Sequence, residues 1–218
     1  MRKLLISICL IPLISQAEVI FVGPYLGATL DSRINTLQVN NWTNNVFGAG
    51  SSGTLNGTAG TQTIPKFDAG YSFVTSALTR LGVGMNFDLN STKVLKDPNK
   101  AFLNGTNALT SKSAFSIYAE PGYLIHNDTL VYGKVGYSSF RLVDSNAALA
   151  ITNQKYKGTD LGFGVKTKIN DNWSLFTEFE KISYSSKSDS AVNGIGSSPV
   201  SKITPTASSG SIGISYQF

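Results

Sequence analysis

The chain has 218 residues, of which 14% are charged, with 18 Lys and Arg, 13 Asp and Glu, one Cys and one His. A net charge of +5 is too small to indicate nucleic-acid binding. One Cys, one His and dispersed carboxylates form no cluster of metal ligands, so neither a metal nor another cofactor is predicted.

Residues 1–17 have the pattern of a secretory signal peptide. Two basic residues, Arg2 and Lys3, precede an apolar stretch that leads to the small-x-small pattern Ser15-Gln16-Ala17. The apolar stretch is too short to span a membrane as a helix. We therefore expect export and cleavage, which leaves residues 18–218 as a single domain without cysteine and therefore without disulfide or thiol chemistry.

The remainder of the chain contains roughly eight segments in which apolar and polar residues alternate, the pattern of half-buried β-strands. In chain order these segments are residues 19–30, 66–74, 80–89, 113–125, 129–142, 156–169, 173–186 and 211–218.

The links between these segments are alternately long and short. In an up-and-down meander, alternate links lie at opposite ends of the strands, so the long links share one end and the short links share the other. Segments of about 9–13 residues also fit the roughly 9–11 residues needed to cross a bilayer at a tilt. The predicted fold is all-β: an eight-stranded antiparallel up-and-down transmembrane β-barrel with four long extracellular loops and three short periplasmic turns. A soluble β-sandwich or lipocalin-like barrel is the alternative.

The two faces of these segments differ in composition. Leu81, Val83 and Met85 form an apolar face, whereas Gly82 and Gly84 lie on the other. A second face that is rich in Gly and Ser suits the cramped interior of a small barrel better than the water-exposed face of a soluble sandwich.

The inward face also carries charged residues. Because buried charges require partners, we expect a lumenal salt-bridge network that fills the barrel. An ion pathway or gate is the alternative interpretation of the same residues. The predicted network comprises Arg80, Glu120, Lys134, Lys166, Glu178 and Glu180, and Asp88 and Lys168 share its face.

The last segment, "SIGISYQF", alternates up to its final residue. A barrel must pair its last strand with its first, because unpaired backbone groups in hydrocarbon cost several kcal/mol each. Ile214, Tyr216 and Phe218 resemble the C-terminal assembly signal of outer-membrane proteins. The resemblance implies the barrel-assembly machinery as a partner.

Four features together resemble the small OmpA-like and opacity-protein family of outer-membrane barrels: the signal peptide, "GPYLGATL" in the first strand, the glycine-rich "LVYGKVGYSSF", and the ending "SYQF". The resemblance implies a surface-exposed barrel, in contact with outer-membrane lipid, in a Gram-negative-type bacterium. On this basis we expect a monomeric, non-enzymatic surface protein that supports envelope structure or adhesion through its extracellular loops.

Two other functions are weighed against this one. A narrow, porin-like channel would use the same charged interior. A lipid-modifying barrel enzyme would need a general base near the outer rim, but His126 lies in a predicted periplasmic turn.

The polar link over residues 40–63 is the main candidate for contacts with host or surface ligands. It carries no charge and includes three large apolar residues, Trp42, Val46 and Phe47. Binding residues are often found on such surface segments.

Overall fold

The computed structural model describes residues 20–44, 51–96, 108–144, 154–189 and 201–218. In this part of the chain no helix is long and apolar enough to cross a membrane. The strands are β1 Gly23–Asn44, β2 Ser51–Val74, β3 Thr79–Asp88, β4 Thr92–Lys96, β5 Ala108–His126, β6 Thr129–Asp144, β7 Gln154–Lys168, β8 Trp173–Tyr184, β9 Lys187–Asp189 and β10 Ser201–Gln217.

The strands form one closed antiparallel sheet. Neighbours follow the order β1-β2-β3-β5-β6-β7-β8-β10, and β10 pairs back onto β1 from Tyr25↔Gln217 to Asn40↔Lys202. The short β4 continues β3 along β5, and β9 continues β8 along β10. The described residues therefore form an eight-stranded up-and-down barrel, which confirms the predicted fold class.

Two residues show that the usual burial of a soluble protein is inverted. Phe163 on β7 is 62% exposed, whereas Asp160 on the same strand is fully buried. Apolar side chains form a belt around the outside of the barrel, as expected for a surface in contact with lipid tails. This belt includes Leu26, Leu30, Met85, Ile117, Leu161 and Phe179. The arrangement excludes the soluble sandwich.

The strands extend further towards the long links than the sequence predicts. β1 continues to Asn44 and β2 begins at Ser51, so the prediction of a loop over residues 40–63 is wrong for most of its length. β10 likewise begins at Ser201, well before the predicted segment 211–218. Outside the lipid, Thr, Asn and Gln can face water on a strand, so these extensions lack the apolar alternation that identifies a membrane strand.

Apolar clusters close both ends of the barrel interior. On the side of the long links, Leu142 and Ile182 belong to a buried cluster with Leu37, Val94, Leu109, Phe140, Tyr156, Tyr184, Ile203 and Ala207. On the side of the short turns, Phe21, Leu124 and Leu130 pack together. The charged interior residues lie between the two clusters. On β6, for example, Leu142 belongs to one cluster and Leu130 to the other, and Lys134 lies between them on the same face of the strand.

Candidate functional site

The charged side chains of the interior are brought together by strand pleating. Successive residues of a strand point to opposite faces, so each charged residue of inward parity reaches the lumen. Seven of these side chains form one continuous cluster, here called the lumenal ion-pair chain. Its members are Asp88, Arg33, Asp31, Lys66, Glu180, Lys134 and Glu178.

Arg33 joins the first two carboxylates of the lumenal ion-pair chain. Its Nη1 and Nη2 donate to the two carboxylate oxygens of Asp88 at 2.6 and 3.1 Å. Its Nε donates to Asp31 Oδ2 at 2.9 Å. The planar guanidinium thus holds two carboxylates in fixed positions, one of them through a two-point contact that favours Arg over Lys.

Two lysines carry the lumenal ion-pair chain across the barrel. Lys66 Nζ lies 3.1 Å from Asp31 Oδ2 and 3.0 Å from Glu180 Oε2. Lys134 Nζ lies 2.9 Å from Glu178 Oε1 and 3.5 Å from Glu180 Oε1. Each lysine therefore bridges two carboxylates, and Glu180 lies between the two lysines.

Aromatic groups complete the surroundings of Lys134 and Glu178. The Tyr132 hydroxyl donates to Glu178 Oε2 at 3.1 Å. Lys134 Nζ also lies 4.4 Å from the centre of the Tyr118 ring, within the range of a cation–π contact. The hydrogen bond gives a partner to the Glu178 oxygen that is not paired with Lys134, and the ring contact adds to the ion pairs of the Lys134 ammonium group.

Every side chain of the lumenal ion-pair chain is 6% exposed or less. An isolated ion at this depth would cost several kcal/mol, so the charges are stable only as a connected set. The arrangement gives the interior a fixed, mutually dependent packing.

The remaining predicted members lie outside the lumenal ion-pair chain. Lys166 and Glu120 form a separate, looser pair at 3.8 Å. The Arg80 guanidinium donates to the backbone carbonyls of Ile20, Ser76 and Thr79, each at 2.9 Å, near the short turns. Of the six predicted residues, the structure brings Lys134, Glu178 and Glu180 together, and it gives Arg80 no ion pair among the described residues.

Sequence reasoning missed Asp31, Arg33 and Lys66. Asp31 and Arg33 continue the inward parity of the first strand, but they lie in a segment that was predicted as a loop. Lys66 is the first residue of a predicted strand, and its parity matches that of the buried Asp68 and Ser72. The signal that could have identified all three residues is a continuation of strand parity beyond the apolar segment.

The space left inside the barrel is small. A cavity of about 20 Å³ is lined by Lys66, Glu120, Lys134, Lys166 and Glu178, among other residues. Two further cavities measure about 10 Å³ each. The largest of the three has room for about one water molecule.

His126 ends β5 beside the turn that leads to β6. Its Nδ1 lies 2.7 Å from Asp128 Oδ1, and both side chains are exposed. The Thr129 hydroxyl also donates to Asp128 at 2.9 Å, and these two contacts, Thr129 first, lower the pKa of Asp128. The Thr129 hydroxyl is therefore engaged by the carboxylate rather than by the histidine ring. Within the described ranges, no group of three or more His, Cys, Asp or Glu side chains could hold a metal ion.

Ile214 and Tyr216 of the predicted assembly signal share the outward face of β10, and Phe218, directly after the strand, continues their parity. Ile214 and Phe218 are exposed, and the Tyr216 ring contacts Trp173 and Phe218 edge-on, with centroids 5.1 and 4.9 Å away. The Phe218 backbone N–H donates to the Pro24 carbonyl at 3.0 Å, so the seam stays paired to its end. Recognition of these residues by assembly machinery stays a prediction.

The side chains of the three predicted loop contacts lie outside the described part of the chain. Trp42 lies in β1, but its side chain is outside the described part, as are Val46 and Phe47.

Comparison with known proteins identifies the family. A family model described as "Outer membrane protein beta-barrel domain" matches residues 4–218. No curated protein matches the chain.

Solved structures of low sequence identity share the fold. The outer membrane protein OprG from Pseudomonas aeruginosa is 14% identical, with a TM-score of 0.57, and the match covers 93% of this chain and 99% of OprG. The outer membrane protein AlkL, solved in DMPC bilayers, is 17% identical, with a TM-score of 0.54 and 95% of each chain covered. The outer membrane protease OmpT from Escherichia coli also matches, at 9% identity and a TM-score of 0.49, over 90% of this chain and 97% of OmpT.

Proposed function

Because the chain belongs to the outer membrane protein beta-barrel domain family, we propose that it is a non-enzymatic surface protein of the Gram-negative outer membrane. In this proposal the barrel is a rigid, filled anchor that holds the long links outside the cell, where they support envelope structure or adhesion. The resemblance to small outer-membrane barrels is confirmed at the level of the family. The finer OmpA-like and opacity-protein assignment, the signal peptide and the monomeric state stay predictions.

The filled interior is the observation that supports an anchor over a channel. Eight-stranded barrels enclose a space that side chains can just fill. Here the lumenal ion-pair chain occupies the middle, apolar clusters close both ends, and the largest of the three enclosed cavities measures about 20 Å³. A channel would require several of the buried ion pairs to separate together.

The position of His126 supports a non-enzymatic role. It lies at the end of the barrel with the short turns, where the Asp128 carboxylate engages both its ring and the neighbouring Thr129 hydroxyl. A lipid-modifying enzyme of the outer leaflet would need its base at the opposite end.

The proposed surface role can be tested by changing the two aromatic residues of the predicted contact segment, residues 40–63. We expect Trp42→Ser with Phe47→Ser to lower the adhesion of expressing cells to matrix-coated and uncoated surfaces, because aromatic side chains supply much of the binding energy at interfaces. The matched control is Leu78→Ser with Ile125→Ser, since both side chains are exposed near the short turns. Adhesion would be measured as retained cells relative to cells without the protein.

Equal loss in both variants would contradict the proposal, as would wild-type adhesion no greater than that of cells without the protein. Surface amount and the gel mobility of the folded barrel would be matched between variants first. These controls separate lost contacts from lost protein.

A further inference from the structure

One side of the barrel carries a cluster of basic residues on its outer face. The cluster, here called the basic patch, extends over β5 to β8. All of its members are exposed and lie on the outward face of their strands. They are Lys112, Arg141, Lys155, Lys157 and Lys181.

The strand register brings three of these cations into direct succession. Lys112 pairs with Arg141 across β5 and β6, and Arg141 pairs with Lys155 across β6 and β7. Neighbouring strands lie about 4.8 Å apart, so the row places the backbones of three cationic residues within about 10 Å. Like charges directly opposite each other on a sheet destabilise it. Such a row therefore calls for an anion from outside the chain.

The protein supplies no such anion in the described part. The described side-chain carboxylates of β5 to β8 are Glu120, Asp160, Glu178 and Glu180, and all of them belong to the lumenal face; the side chain of Asp144, the last residue of β6, lies outside the described part. No member of the basic patch forms an ion pair with a described residue. Lys155 Nζ lies 5.6 Å from the Phe115 ring centre, which leaves its N–H groups free for a ligand.

The basic patch lies directly beyond the apolar belt, on the side of the long links. On β8 the exposed Phe179 is followed on the same face by Lys181, and on β7 Leu161 is followed by Thr159 and Lys157. Headgroups of the outer leaflet begin where the apolar belt ends. The patch therefore faces headgroups rather than lipid tails.

The short β4, which pairs with β5, adds the exposed Lys93, but the rest of the outer rim is different. On β10, β1 and β2 the corresponding outward positions are mostly hydroxyl and amide residues, with Lys202 as an isolated cation opposite Asn40 and Ser188. These positions include Ser32, Thr36, Gln38, Thr61, Thr63, Thr204 and Thr206. The positive charge is thus concentrated on one side of the barrel, which favours a defined binding site over general attraction to an anionic surface.

We propose that the basic patch binds the phosphate groups of a phosphorylated outer-leaflet lipid. Lys and Arg side chains at a headgroup boundary bind phosphate through charge-assisted hydrogen bonds. The lipid chains would lie along the adjacent apolar belt, so that one molecule uses both surfaces. This inference depends on the outer-membrane location and is independent of the proposed adhesion role.

The test uses the full chain refolded into phosphatidylcholine nanodiscs that contain a minor fraction of lipid A, either with both phosphates or dephosphorylated. Lipid retained per barrel would be counted by native mass spectrometry. We expect Lys155→Gln to lower retention of the phosphorylated form about fivefold, with a further loss when Arg141→Gln is added, whereas the matched exposed variant Lys202→Gln leaves it unchanged. Dephosphorylated lipid A should be retained equally by all of these proteins.

Three outcomes would overturn the proposal. The first is undiminished retention by the double variant, and the second is an equal loss with Lys202→Gln. The third is that Lys155 and Arg141 are required for binding of a soluble heparin fragment but not for retention of lipid A. This result would identify a polysaccharide partner. Because every substituted side chain is exposed, each variant should keep the gel mobility of the folded barrel, and this is checked first.

Discussion

Replacing Lys134 with Met is expected to destabilise the barrel by about 3–5 kcal/mol, because it removes one cation from a buried, paired set. Lys134 Nζ lies between Glu178 and Glu180, so its loss leaves Glu178 without an ion-pair partner among the described residues. Urea unfolding of the refolded protein would measure the change in the free energy of unfolding. The matched control is Lys181→Met on the exposed face of β8, for which we expect a change within about 0.5 kcal/mol.

A second substitution tests whether the loss arises from the ion pair. Adding Glu178→Gln to Lys134→Met should restore part of the lost stability, since a neutral amide can still accept the Tyr132 hydroxyl bond. The double-mutant cycle gives the coupling between the two side chains. Coupling below about 1 kcal/mol would contradict a desolvated pair and would indicate charges solvated in a water-filled pore.

The second large effect is expected from one added methyl group in the interior. A Cβ at Gly164 would lie 2.5 Å from Cζ and Oη of Tyr132 and 2.6 Å from the Thr177 carbonyl oxygen. Because the Thr177 contact is with backbone, the interior cannot yield by moving a side chain alone. Gly164→Ala should therefore cost about 1–3 kcal/mol through overpacking. Urea unfolding provides the measurement here as well.

Gly133 on the adjacent strand is the matched control for this substitution. It lies on the outward face, and a Cβ there would meet nothing within 4 Å. Gly133→Ala should leave the free energy of unfolding unchanged or raise it slightly, since it restricts the unfolded chain. Equal losses for the two variants would show that glycine is needed for backbone flexibility and not for packing against Tyr132.

The membrane-crossing part of the fold was predictable from sequence because lipid imposes a strict pattern. β3 spans Thr79–Asp88 where residues 80–89 were predicted, and β8 spans Trp173–Tyr184 where residues 173–186 were predicted. Each outward position in these strands has to be compatible with hydrocarbon, which produces the alternation. Towards the long links the outside is water, the requirement disappears, and the ends of β1 and β2 could not be predicted from alternation.

The sequence predicted several of the charged residues that face the barrel interior, but not which of them contact one another. Strand parity identified Lys134, Glu178 and Glu180, which are in contact. It also placed Arg80 on the inner face. However, strand parity does not give the position of a residue along the barrel axis. Near the short turns the Arg80 guanidinium contacts backbone carbonyls instead of carboxylates. Arg33 was missed because Asp31, Arg33 and the surrounding polar residues resemble a loop in composition.

Conductance of the purified, refolded protein in planar lipid bilayers is the most direct test of the central claim that the barrel is filled. A filled lumen predicts no current steps above the baseline, for the wild type and for Gly133→Ala. Discrete steps whose ion selectivity changes with Lys134→Met, while the free energy of unfolding stays the same, would contradict a filled barrel and would identify a narrow channel.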